Sequence, residues 1–412
     1  MRGHIKNIYE LTDLPVGDLF EMIDAFFTAD HSVIKNPVEK MDGQNLTFTV
    51  IDGELRFFFK GTTLASIKSG GLNQRGICDK YSSENKVSVK NAYLDAYTSL
   101  SDVVGRHSGF FRNGRVVVET ALIDPKNMNT IPYKHAGIYF IQAWDLEKDI
   151  CIDNDNYRSL LGDAVMCSTK IPIKSPHRVE LQKSDVSFEE IIDICDDIGK
   201  ILSDHKLNDD HTIGDLVVSL VESHISKYSF IPAEIRYDVA KRLVFNRGPI
   251  AGKFKKYGGT DAWDRFKKLQ KEKGRLIVAE ARIPFDNVIQ KIGAITFRPI
   301  NFKIEAYPAD QLKKGMEIIK DAFANSRLIG TVEQIDEVRI LLKCIEPNES
   351  LIEKATEGFV FVWKGRETKL VGMFTPINRL NALLSYGKNP ITFAKKTYWT
   401  RTFSKEEYWY GW

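Results

Sequence analysis

The chain has 412 residues, 43% hydrophobic and 27% charged, with a formal net charge of +3. This is an ordinary globular composition of two or three domains, and no run of about 18 apolar residues signals a membrane span. The start, MRGHIKNIYELTDLPVGDLF, lacks a signal-peptide core, and Cys78, Cys151, Cys167, Cys195 and Cys344 show no C-x-x-C spacing, so reduced thiols in the cytoplasm are expected.

In chain order, residues 14–29 place Leu19, Met22, Ile23 and Phe26 at helical spacing and predict an amphipathic helix. From 45 to 60 the period falls to two: NLTFTVI, then Asp52-Gly53, then ELRFFFK reads as a β-hairpin. A two-residue loop there would pair 51 with 54 and set Lys60 opposite Asn45. Strand patterns return at 115–123, 138–144, 358–363 and 368–374. Between roughly 185 and 345 the helical period dominates, with strand-like pieces at 276–306.

These patterns predict an α+β fold with antiparallel sheets rather than a doubly wound parallel one. A β domain of residues 1–150 plus 346–390 is interrupted by a mostly helical insert, 151–345, and followed by a basic, aromatic tail, 391–412. Neither G-x-G-x-x-G nor G-x-x-x-x-G-K-[ST] occurs, which argues against dinucleotide-binding and P-loop chemistry.

Charge is unevenly spread. Residues 184–224 are acidic, whereas 241–275 hold twelve Lys/Arg against three acidic residues, interleaved with Phe245, Phe254, Tyr257, Trp263 and Phe266. Basic residues among aromatics suit a phosphate backbone and unstacked bases. A solvated helical face whose aromatics belong to the core fits the same pattern.

Lys40-Met41-Asp42-Gly43 stands just before the hairpin. A lysine becomes a nucleophile when burial or neighbouring positive charge makes its neutral amine available, and the hairpin would return Lys60 to this end as a phosphate-binding cation. Local sequence alone favours a plain turn lysine with Lys60 solvated. Further along, Glu119 sits within the apolar strand RVVVETALI, where an unpaired carboxylate would be costly. IYFIQAW follows, and much later Glu357-Gly358-Phe359-Val360-Phe361 and Lys369 within TKLVG, with Lys364 before them.

In this order the segments resemble the covalent nucleotidyltransferases, the polynucleotide ligases and mRNA capping enzymes. KMDG, Lys60 of FFFKG, Glu119, the 138–144 strand, EGFVF and TKLVG follow the family's sequence of motifs. Glu39-Lys40-x-x-Gly43-x-Asn45 is similar to the ATP-dependent RNA ligase form, since DNA ligases and capping enzymes usually carry arginine where Asn45 stands. The chain departs from the family at Lys60, usually arginine, and at Val371, where a second lysine is usual. Its roughly 40 residues after the last motif are too few for an OB-fold.

The resemblance implies a ligase adenylation domain acting with ATP and Mg²⁺ (or Mn²⁺). Lys40 would be the nucleophile forming lysyl-AMP, Lys60 would lie near the phosphates, and Lys369 would contact the α-phosphate. Glu119 would hydrogen-bond the ribose, Tyr139 or Phe140 would stack on adenine, and Glu357 would help to hold the metal. Glu39, Asn45 and Lys364 complete the implied nucleotide-binding set. The implied partner is nucleic acid, RNA in preference to DNA; the basic composition of 241–275 makes that segment the candidate surface for it, and no membrane is expected. A DNA ligase, or a nucleotidyltransferase-like binding or assembly protein without catalysis, is the alternative.

Overall fold

The computed structural model describes residues 5–41, 43–59, 63–127, 133, 135–148, 150–152, 154–183, 186–246, 248–297, 317, 320–321, 324–325, 332–345, 358–372, 384–385 and 389–393. The chain enters through β1 (Lys6–Asn7), α1 (Asp18–Thr28) and β2 (Lys35–Glu39), then the hairpin β3 (Gln44–Ile51) and β4 (Glu54–Phe58). Helices α2 (Leu64–Ile67), α3 (Gln74–Lys80) and α4 (Val87–Arg106) precede β5 (Val116–Ile123), β6 (Gly137–Asp145) and β7 (Ile150–Ile152). After α5 (Asp155–Cys167) and β8 (Ile173–Lys174) come α6 (Phe188–Asp204), α7 (Ile213–Ile225) and α8 (Arg236–Phe245). Then follow α9 (Ala251–Tyr257), α10 (Gly259–Ala281), α11 (Ile283–Phe297) and α12 (Val332–Ile345). The hairpin β9 (Gly358–Trp363) and β10 (Arg366–Val371) precedes a short pair, β11 (Leu384–Ser385) and β12 (Asn389–Phe393).

The fold is mixed α and β with mainly antiparallel sheets, compatible with α+β. The first sheet has the order β4-β3-β5-β6-β7, with β8 parallel to β6; the second has the order β1-β10-β9-β2. Asp52-Gly53 forms the expected two-residue turn, because Ile51 pairs with Glu54 and the register continues to Thr47 opposite Phe58. Lys60 lies outside the described residues.

Period-two alternation gives each sheet one core face. In the first, Leu46, Phe48, Val50, Val118, Leu122, Ile138 and Phe140 are buried against α4 and α5 through Ala96, Leu100, Val104 and Leu160. In the second, Phe359, Phe361, Trp363 and Leu370 join α1 and helices α6 to α11 in one continuous core. Phe26 of α1 touches Phe359 and Phe361 edge-on, with centroids 5.6 and 5.4 Å apart.

Two sequence expectations change. The strand-like stretch from 276 is helical as far as 297, because Ile277, Ala281, Phe285, Val288, Ile289 and Ile292 recur every three or four residues on one buried face. Residues 298–306 lie outside the described set. The first sheet also runs past residue 150, the boundary expected for the insert, because β7, α5 and β8 all build its core. Helices α6 to α11 share one core with the second sheet.

This shared core gives a test. Phe26→Ala removes both ring contacts, at a cost of about 3–5 kcal/mol. In urea, helical circular dichroism and sheet tryptophan fluorescence should lose stability together, in one transition shifted to lower denaturant.

Candidate functional site

The strand β2 ends at Glu39, and the chain crosses to β3 of the other sheet through Lys40, Met41 and Gly43. Two contacts fix this crossing. The Lys40 backbone N–H donates to the Gly358 carbonyl at 2.8 Å, joining the crossing to the start of β9. Met41 packs with Ala121, Ile123, Tyr133 and Tyr139 on the face of the first sheet opposite its main core.

The glycines of both expected motifs are sterically required. A Cβ on Gly43 would stand 2.9 Å from Ile123 Cδ1 and 3.0 Å from the Leu122 carbonyl oxygen. Gly358 has a φ of 136°, and a Cβ there would come 2.1 Å from the Leu370 carbonyl oxygen. A side chain at either position would push the crossing off the first sheet or force β9 away from β10.

Strand register decides which predicted residues meet. Asn45 pairs with Ala121, Thr47 with Glu119, and Ala121 with Tyr139, so Asn45, Glu119 and Tyr139 share the face on which Met41 lies. Gln142 Nε2 donates to Glu119 Oε2 at 2.7 Å, which satisfies the strand carboxylate. On the second sheet Lys369, Val360 and Val38 form one row, and Val371, Gly358 and Lys40 lie in the next row on the same face. Strand spacing and rise put the Cα atoms of Lys40 and Lys369 roughly 12 Å apart, within the combined reach of two lysine side chains holding one phosphate. Lys40 Nζ donates to the Met41 carbonyl at 2.8 Å.

Three predicted residues point elsewhere. Phe140 follows Tyr139, so it faces the opposite way, into the first core, where its ring lies 5.5 Å from Phe48. Lys364 occupies the β9–β10 turn, the far end of β9 from Gly358, roughly 20 Å along the strand. There it pairs with Glu21 and with Asp18, the latter at 3.3 Å, and hydrogen bonding to Glu21 raises its pKa. Glu39 turns to the face opposite Lys40, alongside Phe359. Tyr139 is on the expected face but only 3% exposed, enclosed by Met41 and Tyr133, so stacking on a base requires those two to open. Glu357 and Asp42 lie outside the described residues, as does Lys60. Among the described residues no three His, Cys, Asp or Glu side chains cluster as a metal site.

Sequence reasoning missed Lys174, which stands directly opposite Tyr139 on the edge strand β8 and brings a further cation to the Glu119 face. Its signal, a lysine in the short run IPIKSPH, has no periodicity to distinguish it. Also missed was the partner of Glu39. The segment 177–179 pairs with β2, with Glu39 N–H donating to the His177 carbonyl and Val179 N–H to the Pro37 carbonyl, each at 2.8 Å. Glu39 and His177 are therefore cross-strand neighbours. Both Glu39 carboxyl oxygens and His177 Nε2 are buried with no hydrogen-bond partner among the described residues. Burial pushes the Glu39 carboxyl up to about 8, so it is held neutral beside the nucleophile candidate.

A scan against protein-family models matches none, and a search of curated proteins finds no relative.

The Glu39 carboxyl sets a pH dependence with a defined sign. Its folded pKa is raised from 4.5 to about 8. Its contribution to stability is thus fully present below 4.5 and is lost as pH rises through about 8. Thermal melts of the wild type and Glu39→Gln from pH 5 to pH 9 should diverge, the wild type losing several degrees more. Parallel profiles would rule out a buried neutral carboxyl.

Proposed function

We propose that this chain is an ATP-dependent polynucleotide ligase, acting on RNA in preference to DNA, on a nucleotidyltransferase-type pair of antiparallel sheets. The observation that carries the reading is the Lys40 N–H bond to Gly358, which joins the K-x-D-G crossing to the E-G-F-V-F strand more than 300 residues away. Lys369 on the same face, and Glu119 with Asn45 on the face beneath the crossing, add the cation and the ribose acceptors that such a site uses.

In this reading Lys40 Nζ attacks the α-phosphorus of ATP in line. The N–P bond forms as the bond to the bridging oxygen breaks, pyrophosphate leaves, and the amine proton passes to solvent. Lys369 neutralises the charge that develops on the α-phosphoryl oxygens. Glu119, oriented by Gln142, accepts from the ribose hydroxyls. Mg²⁺ or Mn²⁺, held in part by Glu357, would supply further charge neutralisation at the phosphates. An RNA 5′-phosphate oxygen then displaces Lys40 to give an adenylylated end, and a 3′-hydroxyl displaces AMP to seal the strand.

A second reading, a nucleotidyltransferase-like binding protein without catalysis, is favoured by Val371 in place of a lysine and by the enclosure of Tyr139. No helix among the described residues is long and apolar enough to cross a membrane.

Incubation with α-labelled ATP and Mg²⁺ separates the two. The wild type should acquire acid-stable label, Lys40→Ala none, and Lys369→Ala at least tenfold less. Lys364→Ala should label like the wild type, because that lysine belongs to the α1 ion pairs. Equal labelling of Lys40→Ala, or no labelling at all, would falsify the ligase reading.

A further inference from the structure

The basic segment 241–275 folds into the end of α8, α9 and most of α10, and packing sorts its residues into two sets. Three of its aromatics pack together on the inner side. Phe254 and Phe266 are fully buried and stacked with centroids 5.1 Å apart, and Trp263 packs on both at 5.6 and 5.9 Å. Its cations stay outside. Lys255, Lys256, Lys268, Lys271, Lys273 and Arg275 are exposed, and none has a carboxylate within ion-pair distance among the described residues. Lys253, Arg265 and Lys267, by contrast, are neutralised by Asp238, Asp261 and Asp264.

The pattern on α10 is directional. At 100° per residue, Lys268, Lys271 and Arg275 fall within about 60° of one another on the side opposite the buried Ala262, Phe266, Ile277 and Ala281, where Glu272 and the already paired Asp261 and Asp264 also lie. They span eight residues, about 10 Å of helix. Two tyrosines of this region are largely exposed, Tyr237 at 46% and Tyr257 at 45%. Each already carries a lysine over its ring: Lys241 Nζ is 5.1 Å from the Tyr237 centroid and Lys256 Nζ is 4.8 Å from that of Tyr257. A surface that stacks unpaired bases needs open aromatic faces. This one presents cations without ion-pair partners among the described residues, and each exposed tyrosine has a lysine over its ring.

We propose that the α8–α10 face binds the phosphate backbone of an RNA duplex through charge alone, so that the ends presented to the site belong to a double-stranded or hairpin substrate rather than an unstructured single strand. The choice of RNA rests on the ligase reading; the preference for paired over unpaired strands rests on the sorting of this segment. The contacts are to phosphates, so they carry no base sequence.

Equilibrium binding of the full chain to a 20-base-pair RNA duplex, the same strand unpaired and a DNA duplex of the same sequence, across a salt series without ATP, tests this. The RNA duplex should bind several-fold tighter than the single strand. The triple variant Lys268→Ala/Lys271→Ala/Arg275→Ala should lose about tenfold or more in affinity, with the slope of log K against log salt falling by about 2 to 3. Tyr237→Ala/Tyr257→Ala should bind like the wild type. Tighter binding to the single strand, loss of binding in the tyrosine variant, an unchanged slope in the triple variant, or a DNA duplex bound more tightly than RNA would each overturn the proposal. Binding is read without ATP, so failure of Lys40 to label would remove the ligase reading and leave this result standing.

Discussion

Strand β2 pairs with β9 across more than 300 residues of chain, placing Glu39 opposite Phe359 and bonding Lys40 to Gly358. Closing a loop of that length costs about 5 kcal/mol in chain entropy. Two features offset it. β9 is held over its whole length by β10, and its inward residues Phe359, Phe361 and Trp363 lie in the core that α1 and helices α6 to α11 build. The α6–α11 layer therefore does more than connect strands far apart in the chain. Its packing supplies the apolar surface that keeps the second sheet closed beside the nucleophile candidate.

Strand alternation on that sheet then separates two kinds of electrostatics one residue apart. Glu39 turns towards the aromatic core, where burial without a partner keeps its carboxyl protonated up to about 8. Lys40 turns to the other face, shared with Lys369. That face carries a carboxylate as well, because Glu367 lies two residues before Lys369 on β10. Positive charge from the hairpin turn is drawn off, because Lys364 is committed to Asp18 and Glu21 of α1. Among the described residues, Lys40, Lys369 and Arg178 lie on that face of the second sheet, and Lys174 lies on the Glu119 face of the first.

Much of the fold was legible because the signals are local. Asp52-Gly53 between alternating runs specified a two-residue hairpin and its register, and Leu19, Met22, Ile23 and Phe26 specified the face of α1. The stretch after 276 misled because Ile, Val and Phe occur in buried helices as readily as in strands, and length and spacing had to arbitrate. α4, left out of the sequence reading, carried the same helical spacing in Ala92, Tyr93, Ala96, Leu100 and Val104, diluted by polar residues between.

The amino-acid sequence by itself determined the elements and the chemical types at hand: a lysine between two strands, glycines at fixed offsets from it, a glutamate inside an apolar strand and a lysine late in the chain. Only tertiary structure decided which of them meet. Pairing register put Tyr139 on the candidate face and turned Phe140 into the core, carried Lys364 to the far end of its strand, and set Lys174 beside Tyr139. It also set His177 beside Glu39, and helix packing withdrew Phe254, Trp263 and Phe266 while leaving their neighbouring cations in solvent. The physical reason is the same throughout. A residue's type is local, but the face it presents is fixed by pairing and burial against segments tens to hundreds of residues away, and no local pattern encodes that partner.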